Sequence, residues 1–529
     1  MVTGDLNDAR RARRQQLGDL LHRSAARYPD KLAIVDAAAR WSYFEFDAVV
    51  NRVANGLAAA GLAQGDRLAL LARNSWQVVA LNFAAARLGV VLVPINFMLT
   101  AAEVAFILDH SGATGFVVED ALQAVGQQAL DQGKGMKVLG TIVHSGSAPA
   151  GWSDFAAWAS YADQSEPPAD VSDDDPLQLM YTSGTEARPK GVVLTARSLI
   201  AQYVSCIVDG GMTHDDVEVH ALPLYHCAQL HCFLVPDLYL GATSIILPGA
   251  DPEPLLATIA REGVTKLFAP PTVWISLLRS PSFDATDLSC LRKGYYGASA
   301  MPVQVLYEIQ ERLPEVRLWN FYGQTEMAPI ATVLPPAEQL SHAGTAGRAV
   351  LNVETRVVDD DDRDVPPGHI GEIVHRSPQA TSGYWKDDAK TADAFRGGWF
   401  HSGDLGVISE SGHLRVVDRK KDMIKTGGEN VASREVEEVI YQHADVAEVA
   451  VFGIAHPRWI EAVTAVVVPK AGTNLTQEAL LAHCRQHLAS FKTPKYVVLA
   501  EALPKNPSGK ILKRELRTRF AALAAEAPS

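Results

Sequence analysis

A chain of 529 residues is too long for one ordinary domain, so two or more are expected. Its 47% hydrophobic and 21% charged residues are the balance of a soluble globular enzyme, and a net charge of −13 argues against a general nucleic-acid binder. Five cysteines (Cys206, Cys227, Cys232, Cys290 and Cys484) are few and odd in number, which points to a reducing compartment and no disulfide framework.

The N-terminal stretch carries Asp5, Asp8 and Asp19 and no apolar run, so no signal peptide is expected. No segment approaches the length of a membrane span, and the expectation is a cytoplasmic protein without integral membrane contact. Arg10, Arg11, Arg13 and Arg14 cluster on a predicted first helix and read as a solvated face, with a weak membrane-surface contact as the alternative. From Leu17 to Leu247 helical periods alternate with short apolar strands, the pattern of an α/β fold. Leu68 to Leu71, Val90 to Val93 and Thr114 to Val118 are predicted strands, and Arg52 to Leu62 is a predicted helix. Pro149 to Asp175, rich in Asp, Ser and Pro, reads as a surface connection.

That connection leads into two predicted strands, Leu177 to Tyr181 and Val192 to Thr195. Between them runs Tyr181-Thr-Ser-Gly-Thr-Glu-Ala-Arg-Pro-Lys190-Gly191. Hydroxyls and free backbone N–H groups suit phosphate oxygens, glycine lets the backbone approach closely, and a lysine supplies a point charge. An ordinary hairpin turn needs only a few such residues. The loop is not a Walker A motif, because Pro189 precedes Lys190 and Gly191 follows it. Ser508-Gly509-Lys510 fails the same test, with Pro504 and Ile511 at the Gly and Ser/Thr positions.

A helix carrying Leu199, Ile200, Tyr203, Val204 and Ile207 follows. His226-Cys-Ala-Gln-Leu-His-Cys232 places two His and two Cys within one short run, but structural zinc sites usually draw their ligands from two pairs separated by a longer segment. Ser244 to Leu247, Thr265 to Phe268, Gly294 to Tyr296 and Val316 to Trp319 read as further strands. Gly297-Ala-Ser-Ala-Met-Pro302 by itself is a strand-to-helix turn. Asn320-Phe-Tyr-Gly-Gln-Thr-Glu326 offers a ring for a base, a hydroxyl for a phosphate and a carboxylate for a hard cation. Beyond Leu351 alternation and Gly-rich turns predict a smaller β-rich subdomain, and Asp359 to Asp362 is a solvated turn. A second boundary falls at Asp418-Arg-Lys-Lys-Asp422. Ser433 is then the expected N-cap of a helix with Val436, Val439 and Ile440 on one face, followed by strands at Val446 to Val451 and Ala462 to Val468. The result is a small α+β domain of about a hundred residues.

Six of these segments occur in an order that resembles the adenylate-forming superfamily of acyl-CoA synthetases, luciferases and peptide-synthetase adenylation domains, most closely the acyl-CoA synthetase branch. The family's phosphate loop is Tyr-Thr-Ser-Gly-Thr-Thr-Gly-x-Pro-Lys-Gly. This chain departs from it at Glu186 and Ala187. A carboxylate beside a triphosphate repels it unless it points away or pairs with Arg188.

The resemblance implies an α/β N-terminal domain over 1–420 with a β-rich subdomain, and a mobile α+β C-terminal domain over 421–529. It implies ATP, Mg²⁺ and coenzyme A as cofactors or co-substrates, with a small carboxylic acid as substrate. Thr182, Ser183, Gly184, Thr185 and Lys190 would hold phosphates, and Gly297, Ala298 and Ser299 would line the adenine pocket. Asn320, Phe321, Tyr322 and Gly323 would complete the nucleotide site, with Tyr322 stacking on adenine. Thr325 would bind the α-phosphate and Glu326 the magnesium; Asp404 would bind the ribose hydroxyls and Arg419 the ribose or a phosphate. His226 would line the acyl pocket, and Lys510, in Pro-Lys-Asn-Pro-Ser-Gly-Lys510-Ile, would be the catalytic lysine of adenylation. Lys425, Gly427 and Gly428 would serve the thioester step, with Lys421 as the hinge.

Tyr225, Trp274, Tyr296 and Ala328 are the further acyl-pocket candidates; they are mostly apolar or aromatic and lean towards a medium- or long-chain fatty acid. An aryl- or amino-acid-adenylating ligase is the nearest alternative, and no carrier-protein domain is expected after Ser529. A nucleotide-binding pseudo-ligase is the alternative raised by Glu186, and a homodimer is left open.

Overall fold

The computed structural model describes residues 12–133, 135–182, 189–297, 301–420, 422–426, 429–506 and 510–524. Two large sheets form the body of the N-terminal part. In the eight-stranded sheet, Arg67–Leu71 lies parallel to Val91–Ile95 on one side and to Gly115–Glu119 on the other. Parallel strands are covered on both faces and so read as continuous apolar runs; Val91–Ile95 and Gly115–Glu119 are buried at every position. Pro176–Thr182 joins this sheet beside Val91–Ile95 and pairs antiparallel with Lys190–Thr195, so the loop between them opens at a strand end.

The nine-stranded sheet sets Val217–His220, Lys266–Phe268, Lys293–Gly297 and Arg317–Gly323 side by side in parallel, then turns antiparallel at Ile330–Leu334. The β-rich subdomain is an antiparallel sheet of Glu354–Val358, Gly371–Arg376, Phe400–Ile408 and Leu414–Arg419. The C-terminal part has its own sheet, centred on the long antiparallel pair Val446–His456 and Ile460–Pro469, and its own core around Val436, Ile440, Val449 and Leu480. A large N-terminal α/β part and a smaller C-terminal α+β part is the class expected from the sequence.

Three local expectations need correction. The helix predicted from Arg52 begins at Tyr43 and runs to Ala59. Ser42 and Glu45 form a reciprocal capping box that fixes its start, a signal overlooked in the apolar stretch Tyr43 to Val50. The supposed surface connection at 149–175 contains the short strand Ser153–Asp154 and the helix Phe155–Ala159, with Trp152, Phe155 and Trp158 buried. The ring of Trp158 covers Gly140 so closely that a Cβ there would sit 2.2 Å from it. Ser433 is the first residue inside its helix rather than the cap: Ala432 holds the N-cap position, and the Ser433 hydroxyl and backbone N–H both donate to Asp418 Oδ2, at 2.8 and 2.7 Å.

Of the N-terminal arginines, Arg14 is tied to Asp19 and Glu166, while Arg10 and Arg11 lie outside the described residues. Among the described residues no helix is long and apolar enough to cross a membrane.

Candidate active site

A cavity of about 630 Å³ opens where the two large sheets, the β-rich subdomain and the C-terminal part meet. Strand ends carry its walls, because parallel strands leave their following loops at one edge of the sheet. Met180, Tyr181, Thr182 and Lys190 come from the eight-stranded sheet; Gly297 and Phe321 to Glu326 come from the nine-stranded sheet. Asp404 and Arg419 come from the subdomain, and Asn506, Lys510 and Arg514 from the C-terminal part.

Glycine is required at two points on the wall. A Cβ on Gly297 would lie 2.4 Å from the Phe321 carbonyl oxygen, and one on Gly323 would lie 1.9 Å from the Pro329 carbonyl oxygen. These contacts draw adjacent chain segments together and set the turn Thr325–Met327 facing the cavity. Thr325 is buried, its hydroxyl 3.2 Å from the Cys227 sulfur. Glu326 Oε1 accepts from the Tyr384 phenol at 2.9 Å. Lys190 Nζ lies 5.3 Å from the centre of the Tyr384 ring.

Tyr322 donates to Asp404 Oδ2 at 2.8 Å, and Arg419 Nε lies 3.3 Å from Asp404 Oδ1. Burial, and then the Asp404 charge, push the Tyr322 phenol upward, so it remains a donor. His226 faces the cavity, and its Nδ1 accepts from the Ala228 backbone N–H at 3.2 Å. Burial first and the Lys510 ammonium second push His226 down to about 4. The neutral ring therefore carries its proton on Nε2, as a donor without charge. The Lys510 segment is braced by its own backbone N–H, which donates to Asn506 Oδ1 at 2.8 Å.

The chain continues from Cys227 into a π-helical turn over Ala228–Leu234. Its wide winding sets Ala228, Cys232 and Phe233 on the cavity side. On its other side His231 Nδ1 accepts from Tyr203 OH at 2.8 Å, and Nε2 donates to Gln178 Oε1 at 2.8 Å. Gln178 passes the chain on to Asn82 at 2.6 Å. Among the described residues, the two His and two Cys of 226–232 form no converging ligand set.

Of the residues singled out by sequence, Thr182, Lys190, His226, Gly297, Phe321, Tyr322, Gly323, Thr325, Glu326, Asp404, Arg419 and Lys510 line this one cavity. Asn320 does not: its amide donates to the Thr345 carbonyl at 2.9 Å, which engages its side chain away from the cavity. Lys425 also lies off the cavity, its backbone N–H donating to Glu461 at 2.7 Å.

Among the acyl-pocket candidates Tyr225 reaches the cavity, while three do not. Trp274 is core, with its indole N–H on the Tyr295 carbonyl, and Tyr296 donates to Gln339 at 2.7 Å. Ala328 is fully buried in the central core. Ser183, Gly184, Thr185, Glu186, Ala187, Arg188, Ala298, Ser299, Lys421, Gly427 and Gly428 lie outside the described residues.

Tyr384, Arg514, Phe268 and Glu372 line the cavity without having been singled out. Arg514 stands four residues after Lys510, at the start of the helix Lys513–Phe520, a nearness in sequence that could have drawn attention to it. Tyr384 carries no such signal, since only tertiary pairing of Gly383–Tyr384 with Lys190–Thr195 brings it to Glu326.

The family model described as AMP-binding enzyme matches residues 21–385, and that described as AMP-binding enzyme C-terminal domain matches 435–510. The chain is 37% identical over 508 residues to a feruloyl-CoA synthase of Amycolatopsis sp, covering 96% of this chain and 100% of that one. It is 34% identical over 516 residues to the long-chain-fatty-acid–CoA ligase FadD13 of Mycobacterium tuberculosis, covering 96% and 99%. The crystal structure of the anthranilate CoA ligase AuaEII in complex with anthranoyl-AMP superposes with a TM-score of 0.90 at 26% identity, over 96% of this chain and 98% of that one.

Proposed function

The chain belongs to the AMP-binding enzyme family, and from that premise we propose that it is an AMP-forming ligase joining an apolar monocarboxylic acid to coenzyme A. The observation that carries this reading is the meeting of Lys510, from the C-terminal part, with His226, Thr325, Glu326 and Asp404 around one cavity. The acid's carboxylate attacks the α-phosphorus of ATP, giving acyl-AMP and pyrophosphate. The CoA thiolate then attacks the acyl carbon, and AMP leaves.

Such chemistry rests on positioning and charge stabilisation. Asp404, held by Tyr322 and Arg419, keeps acceptor capacity for ribose hydroxyls. Lys510 supplies positive charge where the carboxylate and α-phosphate crowd together. His226, neutral and donating from Nε2, orients an oxygen of the acid without attracting a second anion. The Glu326 carboxylate, which lines the cavity, suits a hard cation such as Mg²⁺, whose charge would offset that of the phosphates.

The first reading of the acid is a medium- or long-chain fatty acid. The segments around 94–107 and 225–233 bring apolar and aromatic side chains and no lysine or arginine to the wall, which disfavours a second carboxylate. Tyr225, stacked edge-on against Phe97, together with Phe233 and Phe268, favours an aromatic acid as a second reading. Pyrophosphate release with ATP, CoA and a panel of saturated fatty acids of rising length beside ferulate and indoleacetate tests both. Turnover with fatty acids alone supports the first reading, turnover with the arenes alone the second. Absence of pyrophosphate with every acid would refute the ligase assignment.

A further inference from the structure

Away from the cavity, the turn Pro336–Glu338 and the following segment meet the tip between Phe400–Ile408 and Leu414–Arg419. The two are locked by backbone bonds, Ala346 N–H to the Leu414 carbonyl and Leu414 N–H to the Gly347 carbonyl, at 2.7 and 2.8 Å. Glu338, His342 and His413 each bring one ligand atom to this seam, all within 4.8 Å of one another.

Glu338 Oε2 meets His413 Nε2 at 2.9 Å, while Oε1 is held by Arg348 at 3.1 Å, so one carboxylate oxygen faces the imidazoles. His413 Nδ1 is bonded to the Ser411 hydroxyl at 2.8 Å, an outer contact of the kind that orients metal-binding histidines. His342 stacks on His413 with ring centres 3.6 Å apart. Two such rings present nitrogens at one edge, but a shared cation needs His342 to swing about its side-chain bonds into a new rotamer. Its partly exposed position permits that.

The other cluster of this composition shows what a filled site looks like. Glu218, His220 and Asp237 are also within reach of one another and fully buried, but the Lys266 ammonium sits among them, bonded to Glu218 at 2.8 Å and to Asp237. A fixed cation already occupies that centre. At the Glu338 seam no ammonium lies among the three ligand atoms in the described residues.

We propose that Glu338, His342 and His413 form a binding site for a divalent transition cation of the zinc type, which clips the β-rich subdomain to the nine-stranded sheet. Two imidazole nitrogens and one carboxylate oxygen are borderline donors that suit Zn²⁺ rather than Mg²⁺ or Ca²⁺, and the fourth position falls to water. Ligand atoms in a tetrahedral zinc site lie ~3.4 Å apart, so the rotamer change of His342 must bring its nitrogen closer to the ligand atoms of Glu338 and His413 than the 4.8 Å span they now share.

The test is calorimetric titration of ZnCl₂ into the full chain without nucleotide, paired with thermal melts. One Zn²⁺ per chain is expected, with a zinc-dependent rise in melting temperature. His342→Ala and Glu338→Gln should each weaken binding about tenfold or more and abolish the rise. His413 is nearly inaccessible, so its replacement tests folding as much as binding; the half-buried His342 carries the test. If the wild-type chain takes up no Zn²⁺, or His342→Ala binds it as tightly as wild type, the site is not a metal site.

Discussion

Lys510 and Ile460 mark two kinds of residue-scale constraint, one chemical and one conformational. Lys510 faces the cavity and, after burial, is the second cause that lowers His226; the proposed role is in the step where phosphate charge must be offset. Lys510→Ala should cut acyl-AMP formation by about 10²- to 10³-fold, the usual scale for losing one electrostatic stabiliser. Thioester formation from supplied acyl-AMP should be spared; equal loss of both half-reactions would remove Lys510 from adenylation. Ile460 is β-branched, 65% exposed and held at φ 69°, a left-handed conformation that costs about 1–3 kcal/mol in such a residue. Glycine adopts it freely and little burial is lost. Ile460→Gly should therefore leave stability unchanged or raise it by about 1 kcal/mol, read as the urea midpoint of unfolding. A clear loss would mean that the Ile460 side chain makes a contact worth more than the strain.

At the scale of elements, the buried chain Tyr203–His231–Gln178 joins the π-helical turn of the cavity wall to the strand Pro176–Thr182, which leads into the proposed phosphate loop. A neutral imidazole is needed there, since it accepts on one nitrogen and donates on the other. Burial alone pushes both His231 and His375 down to about 3. The unfolded chain protonates the same residues near pH 6.5 and so binds more protons than the folded chain between those values. Their contribution is full above about pH 6.5 and is lost as pH falls, by at most about 1.4 kcal/mol per pH unit for each histidine. Urea unfolding at pH 7 and pH 5 should show the decline. His231→Gln should be less stable at pH 7 but fall less steeply; an unchanged slope would show that His231 does not titrate on unfolding.

For the whole molecule, the informative contrast is between Lys510, which lines the cavity, and Lys425, which does not, though both belong to the C-terminal part. The junction is latched: Asp418 accepts both donors of Ser433, and Arg434 donates to the Val416 carbonyl at 2.8 Å. If Lys425 and the neighbouring glycine turn serve the thioester step, that latch must open between steps. Lys421 lies outside the described residues, but its place in sequence, just after the last strand of the subdomain, makes it the proposed pivot. A hinge absorbs a large φ/ψ change and proline fixes φ near −65°. Lys421→Pro should leave acyl-AMP formation near normal and slow the thioester step sharply in single-turnover kinetics. A thioester step at wild-type rate would move the hinge elsewhere or remove the need for rotation.

What was legible in the sequence is what neighbouring residues impose on one another. The strand–loop–strand around Lys190, the apolar runs of the parallel sheet and the order of the short motifs are local patterns, and they were enough for the α/β class and the family. Even a local signal was overlooked where a longer apolar stretch masked it, as with the cap at Ser42 and Glu45. Tertiary structure alone decided which side chains share the cavity. Tyr225 and Trp274 look alike as pocket candidates, yet Tyr225, in a turn, faces the cavity, while Trp274, on the helix Pro271–Leu278, seals a core, because what packs against each is set by distant segments. The contact of Tyr384 with Glu326, and the meeting of Glu338 with His413, join segments far apart in the chain. No periodicity in the sequence encodes these meetings, because they are set by how sheets and strand ends close on one another.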